Sequence, residues 1–322
     1  MKKILWDKTI AWNSWFRDEL TLPRLKRAGY SVIGLTVGGG NGGLEAAMQG
    51  LASVSETVER QPDEYRIVRS IADVDAAQQE GQLALELNFQ GTDPLQGRLE
   101  AIEEFWKMGV RQMGLVWNSD NAAGSSVTSA TDAGLTKFGR QLVARMNRVG
   151  MIVDGSHVGY RTTMDAMHAS QAPLIFSHSN VYAIAPSYKN LKDDQIVACA
   201  QSGGVIGISG FGTYFDDLQV PAHAMFRQID YVCELVGARH VGLGLDFVCN
   251  PLSLWEKVRT NPQLWPGVRE SRFFPPEEVA DLINLMVTAG YSDHDIADIQ
   301  GRNWHRVSAD IWGRRREGAD GF

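Results

Sequence analysis

Cysteine is scarce. Cys199, Cys233 and Cys249 are the three in 322 residues, and no two form a CxxC pair. An odd count without paired spacing argues against a secreted disulfide framework. Long apolar runs are missing too. No stretch reaches the roughly 18 residues of a membrane span. The opening Met1-Lys2-Lys3-Ile4-Leu5-Trp6-Asp7 meets an acid before the apolar run of a secretory signal can form. Basic charge is in deficit, with 31 Lys and Arg against 38 Asp and Glu and a net charge of −7. With no basic stripe, this balance speaks against nucleic acid as a partner. The cluster Arg314–Arg315–Arg316 reads as a short solvated tail. A soluble cytoplasmic protein with a small-molecule partner, and neither nucleic acid nor membrane, is the expectation. No Gly/Ser/Pro linker or internal repeat divides the chain, so one domain over residues 1–322 is expected.

What is present is an ordinary globular composition, 44% apolar and 21% charged, which excludes a disordered chain. Eight short apolar runs recur: Lys3–Thr9, Ser31–Val37, Gln82–Phe89, Arg111–Trp117, Met151–Ser156, Pro173–Ser177, Val205–Ser209 and Val241–Phe247. They are rich in Val, Ile and Leu without strict alternation, as strands buried on both faces are. Helical periods lie between them. Leu95, Leu99, Ile102 and Trp106 form one stripe before Gly109, and Thr136 is placed to cap a helix that stops at Gly150. Met225, Ile229, Val232 and Val236 form another, and Pro275–Ala289 and Asp293–Gln300 read as terminal helices. Eight strands alternating with helices predict an α/β fold, a (β/α)8 TIM barrel with extra C-terminal helices. The Trp- and Pro-rich stretch 249–276 follows the eighth strand, where a barrel places a loop over its active mouth.

Barrel chemistry sits at the C-terminal ends of the strands. There the chain offers His157 on the fifth predicted strand, His178 on the sixth and Asp246 on the eighth. Neutral imidazole is the commonest metal ligand, and an aspartate can ligate or act as a base. Glu86, Asn88 and Gln90 share one face of the third strand and should point inward, with Glu86 deep enough to pair with a buried base.

The local contexts sharpen this. Asp154-Gly-Ser-His157-Val resembles the D-x-S-H-V stretch of the renal (membrane) dipeptidase family, peptidase M19, a branch of the metal-dependent amidohydrolase barrels. Ser177-His178-Ser179-Asn180 resembles its S-H-S-N stretch, and Gly109-Val-Arg-Gln-Met-Gly-Leu-Val-Trp-Asn118 its G-V-R-x-x-x-L-T-x-N strand. Val241-Gly-Leu-Gly-Leu-Asp246-Phe and Gly301-Arg-Asn-Trp-His-Arg306-Val continue the resemblance, which covers residues 80 to 312 well and the first 80 loosely. It implies a barrel that cleaves dipeptides with two zinc ions. They would be held by an H-x-D pair on strand one, a bridging Glu on strand three, the two histidines and the strand-eight Asp. Relatives of this kind are often dimers, so a homodimer is implied by resemblance alone.

The chain departs from that pattern where the chemistry sits. Thr9 and Ala11 stand in place of the H-x-D pair, and Gln90 in place of the bridging Glu. No histidine occurs before His157. A Gln carbonyl is a neutral, weak zinc ligand that cannot offset the repulsion between two dications. One zinc ion at most, or none, is therefore expected, on His157 and His178 with Gln90 or Asp246 as candidate third ligands. Asp154 reads as a residue that orients a histidine from behind. Lys189 stands where the family holds the substrate carboxylate with an Arg, keeping the charge without the bidentate fork. Trp117, Gln90 and Asn180 complete the candidate substrate contacts, and Trp12, Trp15 and the 249–276 stretch would make the pocket more apolar. Two readings follow. The first is a divergent dipeptidase-like amidohydrolase, using Asp246 and His157 on a small amide or dipeptide-like substrate in a reduced site, one-metal or metal-free. The alternative is a catalytically inactive homologue that binds a small molecule.

Overall fold

Each apolar run becomes a strand with both faces covered, by barrel contents inside and helices outside. A computed structural model describes residues 3–13 and 15–314; Met1, Lys2, Arg315 and Arg316 of the segments read above lie outside them. The strands are β1 (Trp6–Ala11), β2 (Val32–Gly38), β3 (Tyr65–Ile67), β4 (Leu83–Phe89), β5 (Val110–Gly114), β6 (Ile152–Asp154), β7 (Leu174–Ile175), β8 (Ile206–Ile208) and β9 (Val241–Leu243). All pair in parallel, in the order β7-β6-β5-β4-β2-β1-β9-β8. A bridge between Phe176 and Ile206 links the two ends of that order. Phe176 N–H donates to Val205 O at 3.0 Å and Gly207 N–H to Phe176 O at 2.7 Å. The eight-stranded (β/α)8 barrel is therefore as expected.

Several boundaries differ from the sequence reading. The first strand runs Trp6–Ala11 instead of Lys3–Thr9, because the Leu5 carbonyl is taken by the N–H groups of Ser31 and Val32 before regular pairing starts. β3, which pairs with the start of β4, was not anticipated; three residues carry too little pattern. The stripe from Leu95 to Trp106 is broken at Gln96 and Gly97, both at positive φ, so the helix covers only Ala101–Met108. Thr136 does cap Lys137–Val149, its Oγ accepting from Gly139 N–H at 2.9 Å, and Gly150 ends that helix in the left-handed region. The terminal helices are Val279–Thr288 and Asp293–Ala297, the latter passing through a wide turn into Asn303–Trp312.

Two buried carboxylates shape the barrel interior below the site. Lys8 on β1 reaches both carboxylate oxygens of Glu86 on β4 at 2.7 Å, with both side chains fully buried. Its ammonium also lies 5.1, 5.4 and 5.9 Å from the ring centres of Trp6, Trp304 and Trp312. Trp304 comes from the last helix and donates to the Leu243 carbonyl at 3.1 Å. It fits because Gly242 has no side chain; a Cβ there would lie 2.4 Å from its indole nitrogen. Asp7 joins the first and last strands, its Oδ1 accepting from Thr9 N–H at 3.1 Å and Leu245 N–H at 3.0 Å. Its Oδ2 is buried without a partner. Burial, aided by the negative charge of Asp246, pushes this carboxyl up to about 7.

Two outcomes follow for stability. Lys8→Met leaves Glu86 buried and uncompensated and should cost about 3–5 kcal/mol in urea unfolding; Lys8→Met with Glu86→Leu should recover most of it. For Asp7 the folded-state value lies above the unfolded one, so its contribution is complete below pH 4 and is lost as pH rises through about 7. A carboxyl displaced from 3.8 to about 7 carries roughly 4 kcal/mol of pH-dependent stability. Asp7→Asn keeps the acceptor oxygen and should flatten the stability profile between pH 4 and 7; an unchanged slope would refute the assignment.

Candidate active site

The loops after β6 and β7 bring two imidazoles together. His157 Nε2 and His178 Nε2 lie 2.8 Å apart. Behind His178, Nδ1 meets Ser177 Oγ at 2.6 Å, and that hydroxyl donates to Asp154 Oδ2 at 2.5 Å. Asp154 also accepts from Gln112 Nε2, Ser156 N–H and Ser177 N–H, each at 3.0 Å. It thus fixes three consecutive strands and, through Ser177, the tautomer of His178: Nδ1 carries the proton. The histidine that Asp154 orients from behind is His178. Behind His157, Nδ1 meets the Asn118 side chain at 2.6 Å. Asn118 Nδ2 has no partner as placed. Turning that amide over makes Nδ2 donate to His157 Nδ1, so that His157 Nε2–H donates to His178 Nε2. The row from Asn118 to Asp154 is then hydrogen-bonded throughout with both rings neutral. Neutrality agrees with their environment: burial first, and the nearby charge of Lys189, hold both imidazoles well below the usual histidine range.

Among the described residues, His157 and Asp246 are two of four non-glycine residues at positive φ, +66° and +55°. Left-handed backbone at a side chain of this kind stores about 1–3 kcal/mol and concentrates at functional sites. Asp246 is held there by its N–H, which donates to Thr9 O at 3.0 Å. Its Oδ2 lies 3.5 Å from Lys189 Nζ, whose side chain is only 1% exposed. That ammonium also sits 4.6 Å from the ring centre of Tyr214. Burial lowers the Lys189 value and raises that of Asp246, and in each case the partner's charge opposes the shift.

Asp246, Lys189 and His157 open into one cavity, also lined by Gln90, Trp117 and Tyr214. Trp15 and, from the 249–276 stretch, Leu254, Trp265 and Phe273 enclose it. Two glycines after β2 let the loops close in. A Cβ on Gly39 would lie 2.4 Å from the Gly91 nitrogen, and one on Gly40 2.8 Å from the Trp117 ring. Two sequence candidates sit elsewhere. His178 lies behind His157, outside the lining of this cavity, and buried Asn180 accepts from Ser209 N–H at 3.1 Å. Asn118, Ser177 and Tyr214 were not singled out. The first two stand inside the quoted motifs, which was a usable signal; Tyr214 is brought under Lys189 only by the fold.

The donors present do not fit a two-zinc centre. Ala11 and Gln90 line the cavity where ligands would be needed, and Thr9 is buried with its hydroxyl unpartnered. Among the described residues no group of three or more His, Cys, Asp or Glu side chains is arranged to hold an ion. The His157–His178 pair supplies two nitrogens, against the three protein ligands of a catalytic zinc. They also stand closer, at 2.8 Å, than the roughly 3.3 Å two imidazoles span on one tetrahedral zinc.

Comparison with known proteins agrees with this architecture. The model of the membrane dipeptidase family, peptidase family M19, matches residues 30–316. A protein of Klebsiella pneumoniae from the pqqA 5′ region, described as uncharacterized, is 29% identical over 287 residues, 84% of this chain and 97% of that one. An uncharacterized dipeptidase of Schizosaccharomyces pombe is 30% identical over 230 residues, 68% of this chain but 55% of that protein, so the chain spans about half the fungal relative's length. The crystal structure of an amidohydrolase from Pseudomonas aeruginosa shares the fold with a TM-score of 0.89 at 24% identity, over 97% of each chain. By its sequence and its barrel, the chain belongs to the membrane dipeptidase family, a family of hydrolases.

Proposed function

We propose that this protein hydrolyses a small amide or dipeptide-like substrate in a reduced site with one zinc ion at most. The observation that carries the reading is the pair of Asp246 and Lys189, 3.5 Å apart in a largely apolar cavity bounded by neutral His157. Asp246 takes a proton from water as its oxygen bonds to the substrate carbonyl carbon, and returns it to the amine as the C–N bond breaks. A carboxyl raised by burial suits both transfers. His157, with both ring nitrogens engaged in the row behind it, acts as a neutral, fixed wall that positions the substrate against Asp246. Gln90 supplies an amide N–H for the developing oxyanion, Lys189 a charge for the substrate carboxylate, and Trp117 an apolar face. Asn180 acts by holding the end of β8. The 249–276 stretch covers the mouth of this single-domain barrel. The second reading, a binding homologue without catalysis, draws on Thr9, Ala11 and Gln90 having replaced three ligand side chains together.

Metal analysis of protein purified without chelator should find at most one zinc per chain; two tightly held ions would overturn the reduced site. In a screen of dipeptides and N-acyl amino acids, Asp246→Asn should lower kcat by about 100-fold or more with the fold intact. Full activity in that variant would remove Asp246 from its role. Binding without turnover, retained in His157→Ala, would select the binding homologue.

A further inference from the structure

The cavity's upper walls are an unusual surface for a dipeptide. Trp15 from the loop after β1, Trp117 from the loop after β5 and Trp265 from the 249–276 stretch converge there. Trp117 and Trp265 have ring centres 5.4 Å apart at 86°, and Trp15 and Trp265 6.1 Å apart at 47°. Phe16 stands at 88° to Trp15 with a separation of 6.1 Å. Among the described residues lining the cavity, Asp246 and Lys189 are the only ones with formal charge, and they face each other. A free primary ammonium entering this space would find aromatic walls and no uncommitted carboxylate to accept its N–H groups.

We propose that the tryptophan walls form a subsite for an N-methylated ammonium group, with the carboxylate of the same ligand directed to Lys189. Three features favour it. A methylated ammonium has few or no N–H groups to satisfy, so aromatic faces can replace its water. The rings stand inclined to one another, at 47° and 86°, and form no parallel slot, which suits a tetrahedral cation better than a flat aromatic ligand. The aromatic rings of this region already engage ammonium groups, Lys257 lying 5.4 Å from the centre of Trp15 and Lys189 4.6 Å from that of Tyr214. This assignment deepens the proposed hydrolase reading by naming the substrate class, an N-methylated amino acid in amide linkage.

Calorimetric titration of the full chain separates charge from shape. Glycine betaine and 3,3-dimethylbutyrate are isosteres that differ in a quaternary nitrogen against a quaternary carbon. Betaine should bind about 10-fold tighter or better. Trp15→Leu, at a half-buried position, should erase that preference while leaving dimethylbutyrate within about 2-fold; Trp117→Leu serves as a second variant. Equal or tighter binding of dimethylbutyrate would overturn the proposal, as would tighter binding of phenylacetate, which would mark a flat slot. Betaine has no amide bond to cleave, so its binding is read without turnover. Tight betaine binding with no hydrolysis of N-methylated amides would sink the hydrolase reading alone. Hydrolysis of ordinary dipeptides without a betaine preference would sink this subsite alone.

Discussion

Charge balance inside the barrel is the constraint on which the rest of this structure depends. Asp7, Glu86 and Asp154 are buried, and Asp246 is largely so at 17% side-chain exposure. Each carboxylate is answered differently. Glu86 receives the Lys8 ammonium, and Asp154 collects four hydrogen bonds from three strands and their loops. Asp7 has two backbone donors and a raised tendency to take a proton, and Asp246 has Lys189. An unanswered charge in such an interior would cost several kcal/mol, so these pairings decide which strand ends can approach one another. Asp7 and Asp246 illustrate the coupling: the first ties β1 to the chain after β9, and the second uses the Thr9 carbonyl two residues further along the same strand.

From these fixed strand ends the site inherits its geometry. The row Asn118–His157–His178–Ser177–Asp154 leaves no ring nitrogen of the pair without a neighbour, so neither imidazole is free to rotate. His157 and Asp246 hold left-handed backbone because the hydrogen bonds around them over-determine it. Gly39 and Gly40 serve the same end by removing bulk, which lets the Gln90 loop and the Trp117 ring close on the cavity. Strain and close approach are thus placed at the mouth of the barrel, while its lower half is an apolar plug of Trp6, Trp304 and Trp312 around one ion pair.

Much of this was legible in the chain because it is local. Strand runs, the Thr136 cap and the two histidine motifs are each written within a few residues. Glu86 was legible as a buried acid awaiting a base, since alternation alone turns it inward; that the base is Lys8 depends on two strands 78 residues apart. What escaped was long-range or very short. β3 has three residues, and the break at Gln96–Gly97 turns on backbone angles a hydrophobic stripe does not record. His178 lies behind His157, and Tyr214 lies under Lys189, because loops of different strands fold over one another.

The replaced ligand positions and the aromatic walls bear on one another. With Thr9, Ala11 and Gln90 where charged or imidazole ligands would stand, the cavity offers a substrate little beyond Lys189, Asp246 and amide hydrogen bonds to grip. Orientation must then come from the remainder of the lining, which is mainly aromatic and apolar. Binding through rings is weak per contact and grows with the number of inclined faces that surround the same group. A site of this kind therefore discriminates through the charge and shape of the substrate's far end more than through its scissile bond. On the proposed reading, residues remote from Asp246 would set specificity, while the strand ends that hold Asp246 and His157 would place the reacting groups.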